Sequence, residues 1–231
     1  MTASAPRLTL TRKRDRQSHD PAVLREILAE GCVAHVGFVR DGLPIVLPFL
    51  YGIGDLGDGP TMLLHGSTGA GAMRDAADGL VVSATVTHLD GIVFADSTFD
   101  SSANYRSAMV FGRAVPVPDE RRDEALWQIS DHLMPGRRAE VREMTRREVR
   151  ATQVLALPLD RASVKVRFAG TGGTAADGWT GVLPLAVRAG APIAEADAAG
   201  PVAASVSALA DALDTRAAAR RARLAALIAG A

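Results

Sequence analysis

Cysteine is nearly absent: Cys32 is the only one among 231 residues. An intramolecular disulfide framework is therefore excluded, and a reducing compartment is the natural expectation. Set in Cys32-Val33-Ala34-His35-Val36, the thiol reads as a small buried core group. Net charge is lacking too, because 26 Lys and Arg balance 26 Asp and Glu. No global field draws such a chain to nucleic acid or to an anionic membrane, so neither is expected as a partner. No apolar run approaches the roughly 20 residues of a membrane span, and Met1 to Ser18 holds no signal-like apolar segment, so a cytoplasmic location is expected.

Several chemical signatures are missing as well. The five histidines show no short repeated spacing that would gather them around a metal, and none is expected. No Gly-x-Ser-x-Gly elbow accompanies Ser67 and His65, which removes a hydrolase reading. Neither a P-loop nor a dinucleotide fingerprint is present.

What is present is a series of short apolar runs. After a polar, Arg-rich arm, Asp20-Pro21 supplies a helix N-cap followed by proline at the first helical position. Val23, Leu24, Ile27 and Leu28 give that helix one apolar face, and Gly31 ends it. Strands are predicted over 32–39 and 43–51 around Asp41-Gly42, over 61–65, over 80–88 and 91–95 around a second Asp-Gly turn at Asp90-Gly91, and over 105–117. A short helical stretch is expected at 72–78. Leu126, Ile129 and Leu133 recur at helical spacing until Pro135-Gly136, and Thr145-Arg146-Arg147-Glu148 is a capping box. Strands at 153–159 and 163–168 follow, then a Gly-rich loop ending in Trp179-Thr180-Gly181-Val182-Leu183-Pro184.

The alanine-rich remainder carries Val206, Leu209, Leu213, Leu224, Leu227 and Ile228 at helix spacing, with Arg216, Arg220, Arg221 and Arg223 on or near its polar side. Many short strands with inserted helices argue for a mainly β, antiparallel barrel and against a doubly wound sheet. The expected organisation is an arm at 1–19, a barrel domain at 20–185 and a tail with a C-terminal helix at 186–231.

Ser67-Thr68-Gly69-Ala70-Gly71, with Arg74 beyond, combines hydroxyls, open backbone N–H groups and a guanidinium. These suit a phosphate, although a plain strand-to-helix turn explains the same residues.

Several motifs occur in one order: Pro44-Ile45-Val46-Leu47-Pro48-Phe49-Leu50-Tyr51, Leu64-His65-Gly66-Ser67 with Arg74, Asp90-Gly91 leading to Asn104-Tyr105-Arg106-Ser107, Phe111-Gly112-Arg113-Ala114, Lys165-Val166-Arg167, and Trp179 to Pro184. In this the chain from about Arg12 to Leu185 resembles the pyridoxamine 5′-phosphate oxidase-like FMN-binding split barrels, in the flavin-nucleotide-binding branch that includes nitroimidazole-resistance proteins. The resemblance implies a six-stranded antiparallel split β-barrel and a homodimer with FMN at the subunit interface. It implies that Val46, Leu47, Pro48 and Phe49 line the flavin ring and that His65, Ser67 and Arg74 bind the ribityl phosphate. Tyr105, Arg106, Ser107, Lys165, Arg167 and Trp179 would approach the cofactor across the interface.

The implied activity is an oxidoreductase that reduces a small electrophilic substrate with a reduced nicotinamide. The deazaflavin F420 in place of FMN, and a non-catalytic flavin- or haem-binding sensor, are the alternatives. No histidine follows Pro184, so the resemblance does not extend to the substrate-gripping segment of vitamin B6 oxidases.

Overall fold

The computed structural model describes residues 13–71, 73, 76, 78–171 and 178–229. In chain order these form a 3-10 turn Arg14–Arg16, β1 Gln17–Ser18, α1 Pro21–Glu30, β2 Val33–Arg40, β3 Leu43–Asp55, β4 Pro60–Ser67, β5 Leu80–Phe94 and β6 Ser102–Pro116. There follow α2 Asp119–Leu133, a 3-10 turn Arg137–Glu140, α3 Arg146–Ala151, β7 Thr152–Pro158, β8 Ala162–Arg167, β9 Gly181–Pro184 and α4 Ala204–Ala229. The helical stretch expected at 72–78 falls largely outside the described residues.

Local chemistry sets most of these boundaries. Asp20 Oδ1 accepts the Ala22 N–H at 2.8 Å and Pro21 opens α1. Asp41 and Gly42 have φ of 52° and 77°, the paired left-handed geometry of a tight hairpin turn, and they join β2 to β3. The Thr145–Glu148 capping box is complete in both directions at the start of α3.

Pairings β2–β3, β3–β4, β4–β7, β7–β6, β6–β5 and β5–β2 close a ring of six strands, with β8 and β1 continuing from β6 and β9 from β5. The expected mainly β, antiparallel split-barrel fold with inserted helices and a C-terminal helix is thus the fold observed. Two compact units make up the chain: 13–87, 107–133 and 141–165 form the first, and 88–106, 134–140 and 166–229 the second. In the first, alternate residues of the strands point to one core: Ala34, Val36 and Phe38 on β2, Val82, Ala84 and Val86 on β5, and Ala108 and Val110 on β6 are buried. Helix α2 covers Leu63 and Val154 with Ala125 and Ile129. That approach is close, since a Cβ at Gly52 of β3 would lie 2.6 Å from the Ile129 Cα.

Four expectations require correction. Asp90-Gly91 is not a turn; β5 runs unbroken from Leu80 to Phe94. Both residues are buried. Gly91 keeps an ordinary strand φ because β9 packs on it, so that a Cβ there would meet the Leu183 carbonyl at 2.9 Å. The reversal falls instead at 95–101, where Ser97 Oγ donates to Asp100 and Ser101 Oγ donates to the Ser97 carbonyl. The segment 181–184, expected as loop, is strand β9, paired with Gly91–Phe94. Cys32 is exposed rather than buried, because it lies in the link between α1 and β2. Finally, Arg220 does not belong to a polar face of α4: half-buried, it lies between the buried Ala217 and Leu224 on one inward stripe, three residues after the first and four before the second.

Candidate functional site

In the first unit, residues 43–50 of β3 do not behave as a core strand. They pair with β2 alone, while 51–55 pair with β4, so the first half of the strand has one open edge among the described pairings. Val46, Leu47 and Pro48 are exposed, Val46 at 62%, and Phe49 is half-buried. Register sets Val33 opposite Leu50, His35 opposite Pro48, Gly37 opposite Val46 and Val39 opposite Pro44. Val33, His35, Val39, Pro44, Val46, Pro48 and Leu50 are all exposed on that face. An apolar surface of this continuity, on a strand with an unused backbone edge, is the mark of a binding face.

At the end of β4, where the chain turns, Ser67 Oγ accepts the Gly69 N–H at 3.3 Å, and the Ala70 N–H donates to the Ser67 carbonyl. His65 is half-buried, and its Nδ1 is buried with no hydrogen-bond partner among the described residues. Burial pushes the His65 imidazole below the usual histidine range, opposed in part by a hydrogen bond to the Leu50 backbone. Arg40, at the end of β2, lies over the same turn: a Cβ at Gly71 would come within 3.2 Å of its guanidinium nitrogens. The guanidinium also lies 5.4 Å above the Phe38 ring. Sequence reading did not single out Arg40, because it lies some 30 positions from the turn and only the barrel joins them. Arg74 lies outside the described residues. Ser107 on β6 and Lys165 on β8 are half-buried in this unit, with Lys165 paired to Gln17.

The other expected residues belong to the second unit. Tyr105 is half-buried. Arg106 is 5% exposed, and its Nε and Nη2 donate to the two carboxylate oxygens of Asp90 at 2.8 and 2.9 Å. This is a two-pronged, charge-assisted arrangement that fixes the guanidinium inside the fold. Arg167 Nη1 donates to Asn104 Oδ1 at 2.6 Å and Nη2 to the Gly170 carbonyl at 3.1 Å. Asn104 in turn donates to the Ala169 carbonyl and accepts its N–H, so this cluster orders the backbone after β8. Trp179 is 73% exposed and leans on Phe94 with ring centroids 6.0 Å apart. Thus Val46 to Phe49, His65 and Ser67 are gathered on neighbouring strands of one unit, while Tyr105, Arg106, Arg167 and Trp179 are held in the other.

Residues 20–166 match the model of the family described as pyridoxamine 5′-phosphate oxidase. The chain belongs to that family, within its split-barrel branch. Among solved structures it is similar to the FAD and heme binding protein from Mycobacterium smegmatis, with 37% identity and a TM-score of 0.79 over 84% of this chain and 97% of that one. It is also similar to the flavocytochrome Anf3 from Azotobacter vinelandii, with 27% identity and a TM-score of 0.79 over 88% of this chain and 96% of that one. A candidate 5-nitroimidazole antibiotic resistance protein from Bacteroides thetaiotaomicron shares the fold, at 22% identity and a TM-score of 0.54, covering 65% of this chain and 86% of that one. No curated protein matches the chain.

Proposed function

We propose that this protein is a flavin-dependent oxidoreductase whose flavin ring lies along the open half of β3. The observation that carries the reading is the exposed, single-edged segment Val46–Pro48, in a chain 37% identical to a protein that binds FAD and haem. The open edge offers backbone N–H and C=O groups to the polar rim of a ring, and Val46 and Pro48 offer it apolar contact from one face, with Leu47 on the other. The Ser67 hydroxyl and the half-buried His65 at the end of β4 suit the ribityl phosphate that FMN, FAD and F420 share. Arg40 adds a second cation beside Gly71, which favours the diphosphate of FAD over FMN alone. When bound, the flavin supplies the hydride and electron chemistry. The chain's own residues hold the ring, neutralise its phosphate and leave one face open to a reduced nicotinamide and then to a small electrophile.

The same apolar strip supports a homodimer, since a second copy laid on Val33, Val39, Val46 and Leu50 removes that surface from water. Tyr105 and Trp179 are then the side chains that reach a partner's cofactor. Substituting Val46→Glu tests both readings at once. A charge at this exposed position leaves stability within about 0.5 kcal/mol but abolishes flavin uptake and dimerisation. Uptake and dimerisation unchanged from wild type would refute the placement.

A second reading adds haem, and one residue favours it. His35 is exposed on the apolar strip, in register with Pro48 on one side and Thr85 on the other. An imidazole standing on an apolar surface would suit a ligand to haem iron. His132, by contrast, is engaged with the Gly31 carbonyl and the Tyr51 ring. If haem binds there, His35→Ala shifts or removes the Soret band and exogenous imidazole restores it. A spectrum unchanged by His35→Ala would assign the iron elsewhere.

A further inference from the structure

The second unit contains a cavity of ≈ 950 Å³ that the flavin reading does not use. One wall is α4, from Ala217 to Ala229, and the opposite wall is β9 with the segment that follows it as far as Arg188. At 1.5 Å per residue, the α4 wall is about 18 Å long, so the cavity is a trough and not a round pocket. Its chemistry is graded along that length. Arg220 and Arg221 come first on the helix, and Leu224, Ala225 and Ile228 follow.

The charged end is deep. Asp90 lines it, only 4% exposed, and already takes Arg106 with both carboxylate oxygens; Arg220, its side chain 12% exposed, lies 3.8 Å from the same carboxylate. Two guanidiniums therefore share one carboxylate. Arg221 and Arg188 add two more to the lining, and Arg188 has Asp214 at 3.8 Å. Arg220 is sheltered while Arg221 and Arg188 reach solvent, so an anion entering the trough meets guanidinium groups from its rim to its floor. Among the described residues, no His, Cys, Met or Tyr lines the trough, so its lining is not that of a haem-iron site.

We propose that this trough binds an aliphatic carboxylic acid, with the carboxylate on Arg220 and Arg221 and the chain along Leu183, Leu224 and Ile228. The elongated shape selects an extended chain, and the gradient fixes its direction. The site stands apart from the flavin reading, and its test does not depend on a bound flavin.

Titration calorimetry with dodecanoate, and with dodecanol as its uncharged counterpart, tests it on the full purified chain stripped of bound lipid. Arg221 and Ala225 are exposed residues of the lining, so Arg221→Gln and Ala225→Trp remove the charge and fill the trough without disturbing the Asp90 cluster. Dodecanoate binds one per chain. Arg221→Gln weakens it at least tenfold, Ala225→Trp abolishes it, and dodecanol binds at least tenfold more weakly than the acid. Circular dichroism and thermal unfolding match wild type for both variants. No dodecanoate binding up to about 1 mM, equal binding of acid and alcohol, or wild-type affinity in both variants would overturn the proposal.

Discussion

Asp90→Asn is the most informative single perturbation of the fold, because a charge disappears while the shape stays. In the native protein the Asp90 carboxylate receives Arg106 Nε at 2.8 Å and Nη2 at 2.9 Å, with side-chain exposures of 5% and 6% for Asp90 and Arg106. The amide keeps one acceptor oxygen but presents an NH2 to the second guanidinium nitrogen, and it leaves Arg106 and Arg220 without the intervening negative charge. Breaking one side of a buried pair costs about 3–5 kcal/mol, and the retained hydrogen bond puts the asparagine at the lower end. The expected loss is therefore about 3 kcal/mol, a large part of the 5–15 kcal/mol that holds a typical domain together. For a chain of this size it corresponds to a fall in Tm of roughly 6–12 °C.

Urea unfolding followed by tryptophan fluorescence reads the effect by unit, because Trp179 belongs to the second unit and Trp127 to the first. In a Trp127→Phe background the Trp179 transition moves to lower urea. Replacing the pair by apolar residues, Asp90→Leu with Arg106→Met, is less damaging than Asp90→Asn, since the Arg106 charge leaves with its partner and Arg220 alone loses the carboxylate. A single variant within about 1 kcal/mol of wild type would refute the argument.

Other expectations are as direct. Gly52→Ala places a methyl group 2.6 Å from the Ile129 Cα, a backbone atom that cannot swing aside, so it destabilises by about 1–3 kcal/mol, checked by chemical denaturation. A phosphate beside His65 favours the protonated imidazole, whereas burial lowers the free protein's pKa, so the bound pKa exceeds the free one. Flavin affinity then rises as pH falls through the bound-state pKa and is lost as pH climbs above it. His65→Gln removes this slope, and identical slopes in the two proteins would sink the assignment. Tyr51 donates to the Leu28 carbonyl at 2.6 Å in a fully buried setting, so Tyr51→Phe costs about 1 kcal/mol in thermal or chemical unfolding.

Signals carried by adjacent residues were legible in the sequence. Asp20-Pro21, Asp41-Gly42 and the Thr145–Glu148 box each hold their own hydrogen-bonding and φ requirements, and each appears where it was expected. Asp90-Gly91 carries the same dipeptide as Asp41-Gly42 and does the opposite. The difference comes from Arg106, sixteen residues on, which takes the carboxylate, and from β9, which closes over the glycine. Neither partner is visible in a local window. Arg40 was missed for the same reason, since the barrel and not the sequence brings it to Gly71. The apolar run at 43–51 was read correctly as a strand, but its exposure depends on which strands pair with it, a property of topology.

The central claim is tested most directly by the absorption spectrum of the purified protein, before and after addition of FMN and FAD, with the released cofactor identified by mass. The account predicts flavin bands at one flavin per chain, lost in Val46→Glu. A colourless protein that takes up neither flavin, or one that carries a flavin unaffected by Val46→Glu, would contradict it.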